Sequence, residues 1–238
     1  MTQIGWISTE QKDALSLAEA EVQLWVDSLE APVEQMLTLR QTLAADELAR
    51  AKRFHFERDR RRFIVARGRL RQLLGRYLVL PPPEIRFTYS AHGKPLLQEA
   101  QNPAALQFNL SHAGEMMLVG VTRGRAIGVD IEQVRSLDDM MGIAASFFSP
   151  RKYDVGRRAR RPKRAGLFNC WTRKEAYIKA QGQGLSLPLD SFDVTLTPGA
   201  EARLLAVRNA RPDEAAQWTM QAFEPVGGYV AAVVVNRV

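Results

Sequence analysis

The run AIGVDIE at residues 126–132 constrains this chain most, because it sets two carboxylates in what otherwise looks like a buried strand. Side chains alternate faces along an extended chain, so Asp130 and Glu132 share one face. Val129 and Ile131 share the opposite, apolar face. Two like charges buried side by side need a cation or water beside them. The run therefore predicts either an edge strand with one solvated face or a metal site.

The composition is that of a folded protein in a reducing compartment. The 238 residues are 46% hydrophobic and 25% charged, and the single cysteine, Cys170, excludes an internal disulfide and a multi-thiolate zinc site. The N-terminal segment has no basic start followed by an apolar block, and no later apolar run approaches the roughly 20 residues that span a bilayer. We expect a cytoplasmic protein with no membrane partner.

The charge of the chain is concentrated in two basic stretches. The formal net charge is +7 and the pI is about 9.8. Eleven arginines and lysines fall between Arg50 and Arg76, and eight fall between Arg151 and Arg164. Such stretches suit a solvated face, nucleic acid, a phosphorylated small molecule or an acidic protein surface. The composition indicates an anionic partner, but it does not distinguish nucleic acid, a phosphorylated small molecule and an acidic protein surface.

The order of the expected elements predicts an α+β fold. Two long helical segments are expected: residues 44–80, stopped by three prolines, and residues 167–184, ended by Gly182 and Gly184. A further helix is expected at 137–148 and a mobile basic loop at 151–164. The expected strands are residues 22–29, 84–90, 106–112, 116–124, 126–132, 191–196, 218–224 and 229–235.

An internal echo points to two similar halves. FIVARGRLR at residues 63–71 and WTRKEAYIK at residues 171–179 begin with an aromatic residue, end with a cation and start 108 residues apart. Each segment is followed by a glycine-containing stretch and then by an expected strand. Chance similarity is a rival explanation, but two halves of about 110 residues would place a site in the cleft between them.

A third acid lies on an apolar helix face. On a helical wheel, Glu175 falls on the face that also carries two aromatic residues and an isoleucine. These apolar residues are Phe168, Trp171 and Ile178, and the residues placed elsewhere are Lys174, Ala176 and Tyr177. Lys179 is four residues beyond Glu175, which is also the ordinary spacing of a surface ion pair.

The three acids predict a magnesium site. Asp130, Glu132 and Glu175 offer hard oxygen ligands, and the chain has no thiolate cluster and three histidines. Magnesium suits such ligands and takes its remaining ones from waters and substrate phosphates. Three residues are hydrogen-bond donors of the kind that hold phosphate oxygens. Lys94 lies in a tight turn, and Ser111 and His112 follow a strand.

Three motifs resemble the signatures of the 4′-phosphopantetheinyl transferases, of the longer, monomeric, surfactin-synthetase-activating type. They are FNLSH at 108–112, AIGVDIE at 126–132 and WTRKEAYIKAQGQGLSLPLDSF at 171–192, in the family's order. The resemblance implies magnesium-dependent transfer of phosphopantetheine from coenzyme A to a serine of an apo acyl or peptidyl carrier protein, leaving adenosine 3′,5′-bisphosphate. It also implies a monomer of two pseudo-symmetric halves, each a small, mainly antiparallel sheet packed on a long helix.

The resemblance assigns roles to eight residues, position by position. The magnesium ligands would be Asp130, Glu132 and Glu175. The contacts to coenzyme A phosphates would be Arg62, Lys94, Ser111 and His112. Lys179 would neutralise the pyrophosphate or the departing phosphate, and Glu175 would be the base, directly or through a metal-bound water. The halves would be residues 1–112, on the coenzyme A side, and residues 113–238, with the magnesium and the catalytic acids.

Two features, at three positions, depart from the family pattern. Lys152 follows the FFS element, where some relatives have an acidic residue, and Glu47 and Arg50 stand where relatives place lysines. The basic segment 151–164 is longer and more positive than the chemistry requires. We expect this segment to meet the acidic helix of the carrier protein and to speed encounter.

Two rival functions are compatible with the charge. A nucleic-acid-binding protein would explain the arginine-rich stretches but gives no role to Asp130, Glu132 and Glu175, which would repel phosphates in the absence of a metal. A carrier-binding paralogue that has lost catalysis would have no need of these acids. We therefore expect an enzyme with no nucleic-acid partner, distinguished from both rivals by release of adenosine bisphosphate.

Overall fold

Strands and helices occur in mixed order along the chain, which gives an α+β fold. The computed structural model describes residues 2–6, 13–134, 164–197 and 200–237. The helices are α1 (Val33–Gln41), α2 (Ala45–Ala51), α3 (Glu57–Leu78) and α4 (Arg164–Gln181). The strands are β1 (Thr2–Trp6), β2 (Val22–Ser28), β3 (Phe87–Tyr89), β4 (Pro95–Leu97), β5 (Leu106–Ala113), β6 (Met116–Arg123), β7 (Ile127–Gln133), β8 (Phe192–Val194), β9 (Leu204–Val207), β10 (Trp218–Phe223) and β11 (Tyr229–Asn236).

The chain divides into two compact units, Met1–Gly124 and Arg125–Val238. The sequence-based boundary after residue 112 differs from this division. Strand β6 lies beyond residue 112 but pairs along its length with β5 on one side and with β2 on the other. Because β2 and β5 belong to the first unit, their hydrogen-bonded ladders keep β6 in it as well.

The first unit packs α3 against a four-stranded sheet of order β1-β2-β6-β5. Strand β1 runs parallel to β2, and the other neighbours are antiparallel. Apolar residues at helical spacing on α3 enter the same core as alternate residues of β6. They are Leu70, Leu73 and Leu74 from the helix and Met117, Val119 and Val121 from the strand.

The second unit packs α4 against a three-stranded antiparallel sheet of order β10-β11-β7. Its core has an aromatic centre, where the ring of Tyr177 lies 4.8 Å from that of Phe192 and 5.5 Å from that of Trp218, centroid to centroid. Tilted and edge-to-face pairs at such distances add to the stabilisation from apolar burial. Both units therefore repeat one architecture, a small, mainly antiparallel sheet on a long helix, as the family resemblance implies.

Most of the expected strands are confirmed to within a few residues, but the helix expected at 44–80 is not continuous. It is interrupted between α2 and α3, where Phe56 has an extended backbone with φ −94° and ψ 133°. The interrupting sequence RFHF is aromatic, and aromatic side chains lose rotamer freedom in a helix. The strand expected at 84–90 is shorter, because Pro82–Glu84 forms a 3-10 turn. Elements that the sequence did not predict are β1, α1, β4 and β9.

The end of α4 has the expected glycine cap. Gly182 has φ +71°, and its N–H donates to the carbonyl of Ile178 at 3.0 Å. A residue in the left-handed conformation satisfies a terminal carbonyl of the helix, and glycine adopts it without steric strain.

Two expectations fall on parts of the chain that the structure does not describe. The helix expected at 137–148 lies wholly outside the described residues, and so does the basic segment up to residue 163, including Lys152. In the described ranges, no helix is long and apolar enough to cross a bilayer.

Candidate active site

Strand β7 lies close against α4, and Gly128 makes that approach possible. A Cβ atom at Gly128 would lie 2.1 Å from the carbonyl oxygen of Ala176 and 2.3 Å from the nitrogen of Ala180, both backbone atoms of α4. A side chain here would therefore push the strand and the helix apart. Because side chains alternate along a strand, Asp130 and Glu132 share the face of β7 that Gly128 turns towards α4.

Asp130 forms a buried ion pair on this face. The residue is 3% exposed, and its Oδ1 accepts a hydrogen bond from Nζ of Lys179 at 2.6 Å. Its partner on the neighbouring strand is Ala232, a small residue of the core that includes α4. A buried carboxylate requires a cation of this kind. The acid of the strand and the last cation of the helical motif are thus in direct contact.

Glu132 follows Asp130 on the same face and is partly buried. Its Oε1 accepts a hydrogen bond from Nε1 of Trp171 at 3.1 Å. A packed indole needs an acceptor for its N–H group. Trp171, which the sequence places on the apolar face of the helix, therefore also fixes the position of a carboxylate oxygen.

Glu175 presents a buried oxygen, Oε1, that has no hydrogen-bond partner among the described residues. Burial raises the pKa of the Glu175 carboxyl, while the charge of Lys179 lowers it and the charge of Asp130 raises it further. This carboxyl thus holds a proton more readily than an exposed glutamate does. Glu175 as a whole is only partly buried, as is Trp171 on the same face of the helical wheel.

The three acids are not gathered as a finished metal cluster. In the described part of the chain, no three Asp, Glu, His or Cys side chains are grouped so as to hold a metal ion. Asp130 is bonded to Lys179, and Glu132 is bonded to Trp171. The donor chemistry nevertheless fits a hard cation, because all three side chains offer carboxylate oxygens and Oε1 of Glu175 is buried without a hydrogen bond from any described residue.

The four residues expected to hold phosphates lie on three elements of the first unit. Ser111 and His112 are adjacent on β5, so their side chains point to opposite faces, and Ser111 is buried while His112 is exposed. Lys94 ends the turn between β3 and β4, and burial lowers its pKa to about 8. Arg62 belongs to the first turns of α3.

Arg62 is held by two carboxylates of the first unit. Its Nη2 lies 2.8 Å from Oε1 of Glu30 and 3.7 Å from Oε1 of Glu115, which follows β5. With Arg58 and Arg61, it lines a cavity of about 190 Å³. An anion that enters this cavity would compete with Glu30 for the guanidinium of Arg62.

Comparison with known proteins accounts for both units of the chain. The family model described as 4′-phosphopantetheinyl transferase, N-terminal, matches residues 30–123. The model described as 4′-phosphopantetheinyl transferase superfamily matches residues 126–234. The border between these two matches falls where the two compact units meet in the sequence.

Curated relatives match along most of their length. The 4′-phosphopantetheinyl transferase HetI of Nostoc sp. is 40% identical, with 93% of this chain and 90% of the relative covered. The 4′-phosphopantetheinyl transferase psf-1 of Bacillus pumilus is 30% identical, with 86% and 83% covered. For the 4′-phosphopantetheinyl transferase Sfp of Bacillus subtilis, identity is 28%, with 80% and 81% covered. The chain belongs to the 4′-phosphopantetheinyl transferase superfamily.

The resemblance carried by the three sequence motifs is thereby confirmed. Membership makes the chain an enzyme of the phosphopantetheinyl transferase class and supports transfer of a phosphopantetheine group. Two of the motifs meet in the second unit, since AIGVDIE forms β7 and WTRKEAYIK lies within α4. The transferase therefore builds its candidate acids on regular elements rather than on loops.

In this transferase α4 is buried on more sides than the helical wheel predicts. The residues placed away from the apolar face, Lys174, Ala176 and Tyr177, are buried as well. Lys174 is 3% exposed, and its Nζ donates to the backbone carbonyls of Leu189 and Phe192, the latter at 2.8 Å. The wheel fails here because α4 packs on the sheet and also on the chain that follows it.

Arg173 is a second buried cation of α4 that sequence reasoning missed. Its Nη1 donates to the carbonyl of Thr195, and burial lowers its pKa. Together, Arg173 and Lys174 tie α4 to residues 189–195 through backbone carbonyls. The sequence carried no clear signal of this burial, because the two neighbours of the pair, Thr172 and Glu175, are polar and consecutive helix positions can share a solvated face.

Proposed function

We propose that this transferase moves 4′-phosphopantetheine from coenzyme A to a serine hydroxyl of an apo acyl or peptidyl carrier protein and releases adenosine 3′,5′-bisphosphate. The observation that carries the proposal is the partly buried carboxyl of Glu175, with its buried Oε1, near the Asp130–Lys179 ion pair. An acid with a raised pKa beside a cation suits a reaction that removes a proton and leaves a phosphate.

Glu175 is the proposed general base. The serine oxygen would form a bond to the phosphorus next to the pantetheine arm, and the bond from that phosphorus to the bridging oxygen would break. The serine proton would pass to the carboxylate of Glu175. Because burial raises the pKa of this carboxyl, it takes up a proton more readily than an exposed glutamate does.

Lys179 is the proposed partner of the departing phosphate. Its side chain is 28% exposed, whereas that of Asp130 is 4% exposed, so the ammonium can reach a ligand while it remains bonded to Asp130. A fixed positive charge near the leaving oxygen stabilises the charge that develops in the transition state. Asp130 would hold the ammonium in place for that contact.

We propose magnesium as the cofactor, held by the carboxylates of Asp130, Glu132 and Glu175. Support comes from the three hard oxygen donors and from the buried Oε1 of Glu175, which accepts no hydrogen bond from a described residue. When bound, the ion would supply positive charge to the pyrophosphate of the substrate.

The first unit supplies the proposed donors to coenzyme A, which are Arg62, Lys94, Ser111 and His112. Arg62 offers a planar guanidinium that can bond two phosphate oxygens at once. Lys94, with a pKa of about 8, is mostly protonated at neutral pH and can neutralise a phosphate. We expect the active species to be a cytoplasmic monomer that binds neither nucleic acid nor membranes.

The test is the intact mass of an apo carrier protein after incubation with this enzyme, coenzyme A and magnesium. We expect the carrier to gain one phosphopantetheine group and the solution to gain an equal amount of adenosine 3′,5′-bisphosphate. Glu175→Gln should slow transfer by about 100-fold or more, because loss of a general base removes a factor of that order. The matched control is Glu224→Gln, which removes an exposed carboxylate of the same unit and should transfer at the wild-type rate.

Other outcomes would reject parts of the proposal. No mass gain on any of several carriers would reject the transfer itself. Equal rates for Glu175→Gln and Glu224→Gln would reject Glu175 as the base. Full activity in the presence of a strong chelator of divalent cations would reject magnesium as the cofactor.

A further inference from the structure

Glu47 of α2 is buried between two arginines of α3. It is 2% exposed. Its Oε1 accepts a hydrogen bond from Nε of Arg67 at 2.9 Å, and its Oε2 accepts one from Nε of Arg71 at 2.6 Å. All three side chains are nearly inaccessible to water. Glu47 is therefore committed to the packing of α2 on α3 and does not face a ligand.

The same two arginines reach the strand that leads to Lys94. Nη2 of Arg67 donates to the hydroxyl of Tyr89 at 2.9 Å. The guanidinium carbons of Arg67 and Arg71 lie 5.0 and 5.1 Å from the ring centroid of Phe87. Cations over a ring at this distance attract its π face. Strand β3 is thus fixed to α3 by one ring and one hydroxyl.

Arg71 also holds the chain just before β3. Its Nη1 donates to the carbonyls of Pro82 and Ile85, at 2.9 Å each. The segment just before β3 is therefore hydrogen-bonded to α3 through backbone carbonyls. The last residue of β3, Tyr89, is hydrogen-bonded to α3 through its hydroxyl. The acid, the two arginines and the tyrosine hydroxyl form one connected network, which we call the Glu47 network (Glu47, Arg67, Arg71 and Tyr89).

The Glu47 network lies next to the turn that carries Lys94. Strands β3 and β4 pair over three residues, and Tyr89 lies opposite Pro95, so the turn begins directly after the tyrosine. Within the turn, the N–H of Ser90 donates to the carbonyl of Lys94 at 2.9 Å, and the N–H of Lys94 donates to Oγ of Ser90 at 3.1 Å. A ladder this short is marginal by itself. Its orientation then comes from contacts with the rest of the unit, which include those of Phe87 and Tyr89 with α3 and that of the Phe87 ring with Phe108 of β5, 5.9 Å between centroids.

We propose that Arg67 and Tyr89 are positioning residues for coenzyme A, and that their hydrogen bond fixes the turn of residues 90–94 so that the Lys94 ammonium meets a substrate phosphate. This inference rests on the proposed function. Arg67 and Tyr89 do not touch the substrate and act through Lys94. Tyr89 is 42% exposed, so it is not part of the buried core. What its hydroxyl adds to the packing of its ring is the hydrogen bond to the buried guanidinium of Arg67.

The test is Tyr89→Phe, which removes the hydroxyl and keeps the ring. Transfer to a saturating carrier is measured while the concentration of coenzyme A is varied. We expect KM for coenzyme A to rise by about threefold to tenfold, with kcat within about twofold of wild type, since the hydroxyl loses its hydrogen bond from Arg67 and a longer one, of 3.4 Å, to Oδ2 of Asp46. Direct titration of the enzyme with coenzyme A should show the same loss of affinity.

The matched control is Tyr77→Phe, which removes a hydroxyl from the same unit. The Tyr77 hydroxyl accepts from Nε1 of Trp25 at 2.8 Å and donates to Gln23, and neither contact belongs to the β3–β4 hairpin. Tyr77→Phe should lower the melting temperature and leave KM for coenzyme A unchanged. The two variants therefore separate positioning from general loosening of the unit.

Three results would overturn the inference. An unchanged KM in Tyr89→Phe would show that the hydroxyl does not position the turn. An equal rise of KM in Tyr77→Phe would show that any loosening of the unit has this effect. Failure of the wild-type enzyme to bind coenzyme A would reject the proposed function as well, whereas active wild type with an unaffected Tyr89→Phe would reject the positioning role alone.

Discussion

The two long helices of this transferase differ in whether a carboxylate holds their buried cations, although Arg71 of α3 also donates to two backbone carbonyls. On α3, Arg67 and Arg71 share one buried carboxylate, that of Glu47. On α4, Arg173 and Lys174 donate to backbone carbonyls of the chain that follows. A carboxylate partner is itself a charge that has been removed from water, whereas a carbonyl is neutral and present at every residue.

The two units also differ in the charge of the residues that are candidates for binding ligands. The first unit uses the acids Glu47 and Asp27 to hold buried arginines, and its candidate ligand groups include the cations Arg62 and Lys94. The second unit holds Arg173 and Lys174 with carbonyls, and its candidate groups are mostly acids. Transfer of a phosphorylated group requires cations for the phosphates and carboxylates for a metal and a proton. In the proposed reaction, the cations would come from the first unit and the carboxylates from the second.

The largest effect on stability is expected when the carboxylate of α2 is neutralised. Glu47→Gln leaves Arg67 and Arg71 buried beside a neutral amide, and breaking a buried ion pair in this way costs about 3–5 kcal/mol. The free energy of unfolding in urea should fall by that amount. The control Glu34→Gln, at an exposed position on α1, should leave it unchanged to within about 0.5 kcal/mol. Equal stability of the two variants would contradict the role given to Glu47.

The Glu47 network shows what sequence alone could not supply. Arg67 and Arg71 are one helical turn apart on the same face, which was visible in the sequence, but their shared partner lies about two dozen residues earlier on another helix. No periodicity relates residues on two separate helices. In contrast, the alternation that sets Asp130 and Glu132 on one face is local, and the structure contains it.

The sequence predicted the residues of the candidate site and the elements that carry them, but it did not predict the contacts among these residues. The wheel placed Glu175 on an apolar face, and the glycines after α4 marked its end. The bond from Lys179 to Asp130 depends on how closely β7 approaches α4, which Gly128 permits. The burial of Lys174 was missed, because a helix that packs on two sides has no single apolar stripe.

A smaller loss of stability is expected when the carbonyl-bound cation of α4 is removed. Lys174→Met keeps most of the side-chain volume and leaves the carbonyls of Leu189 and Phe192 without this donor, which costs about 1–3 kcal/mol. Urea unfolding should therefore place this variant between Glu47→Gln and wild type. Lys52→Met, at an exposed lysine, is the matched control. A loss greater than that of Glu47→Gln would break the distinction between the two helices.

The weakest expected effect concerns the cation that the first unit keeps for its ligand. Burial lowers the pKa of Lys94 to about 8, so the free enzyme loses this proton as the pH rises through that value. If the protonated ammonium binds a phosphate, KM for coenzyme A should rise by about tenfold between pH 7 and pH 9. Lys94→Arg keeps its charge throughout this range, so its KM should stay nearly flat.

Stability and affinity should respond to this titration with opposite signs. Between pH 8 and the ordinary lysine pKa of 10.5, the unfolded chain holds the Lys94 proton more than the folded chain does, so the Lys94 contribution to folding stability rises with pH. Affinity for the phosphate falls over the same range, because the neutral amine attracts it less. A KM that rises equally in wild type and Lys94→Arg would assign the pH dependence to another group, and the first unit would then bind its ligand through cations other than Lys94.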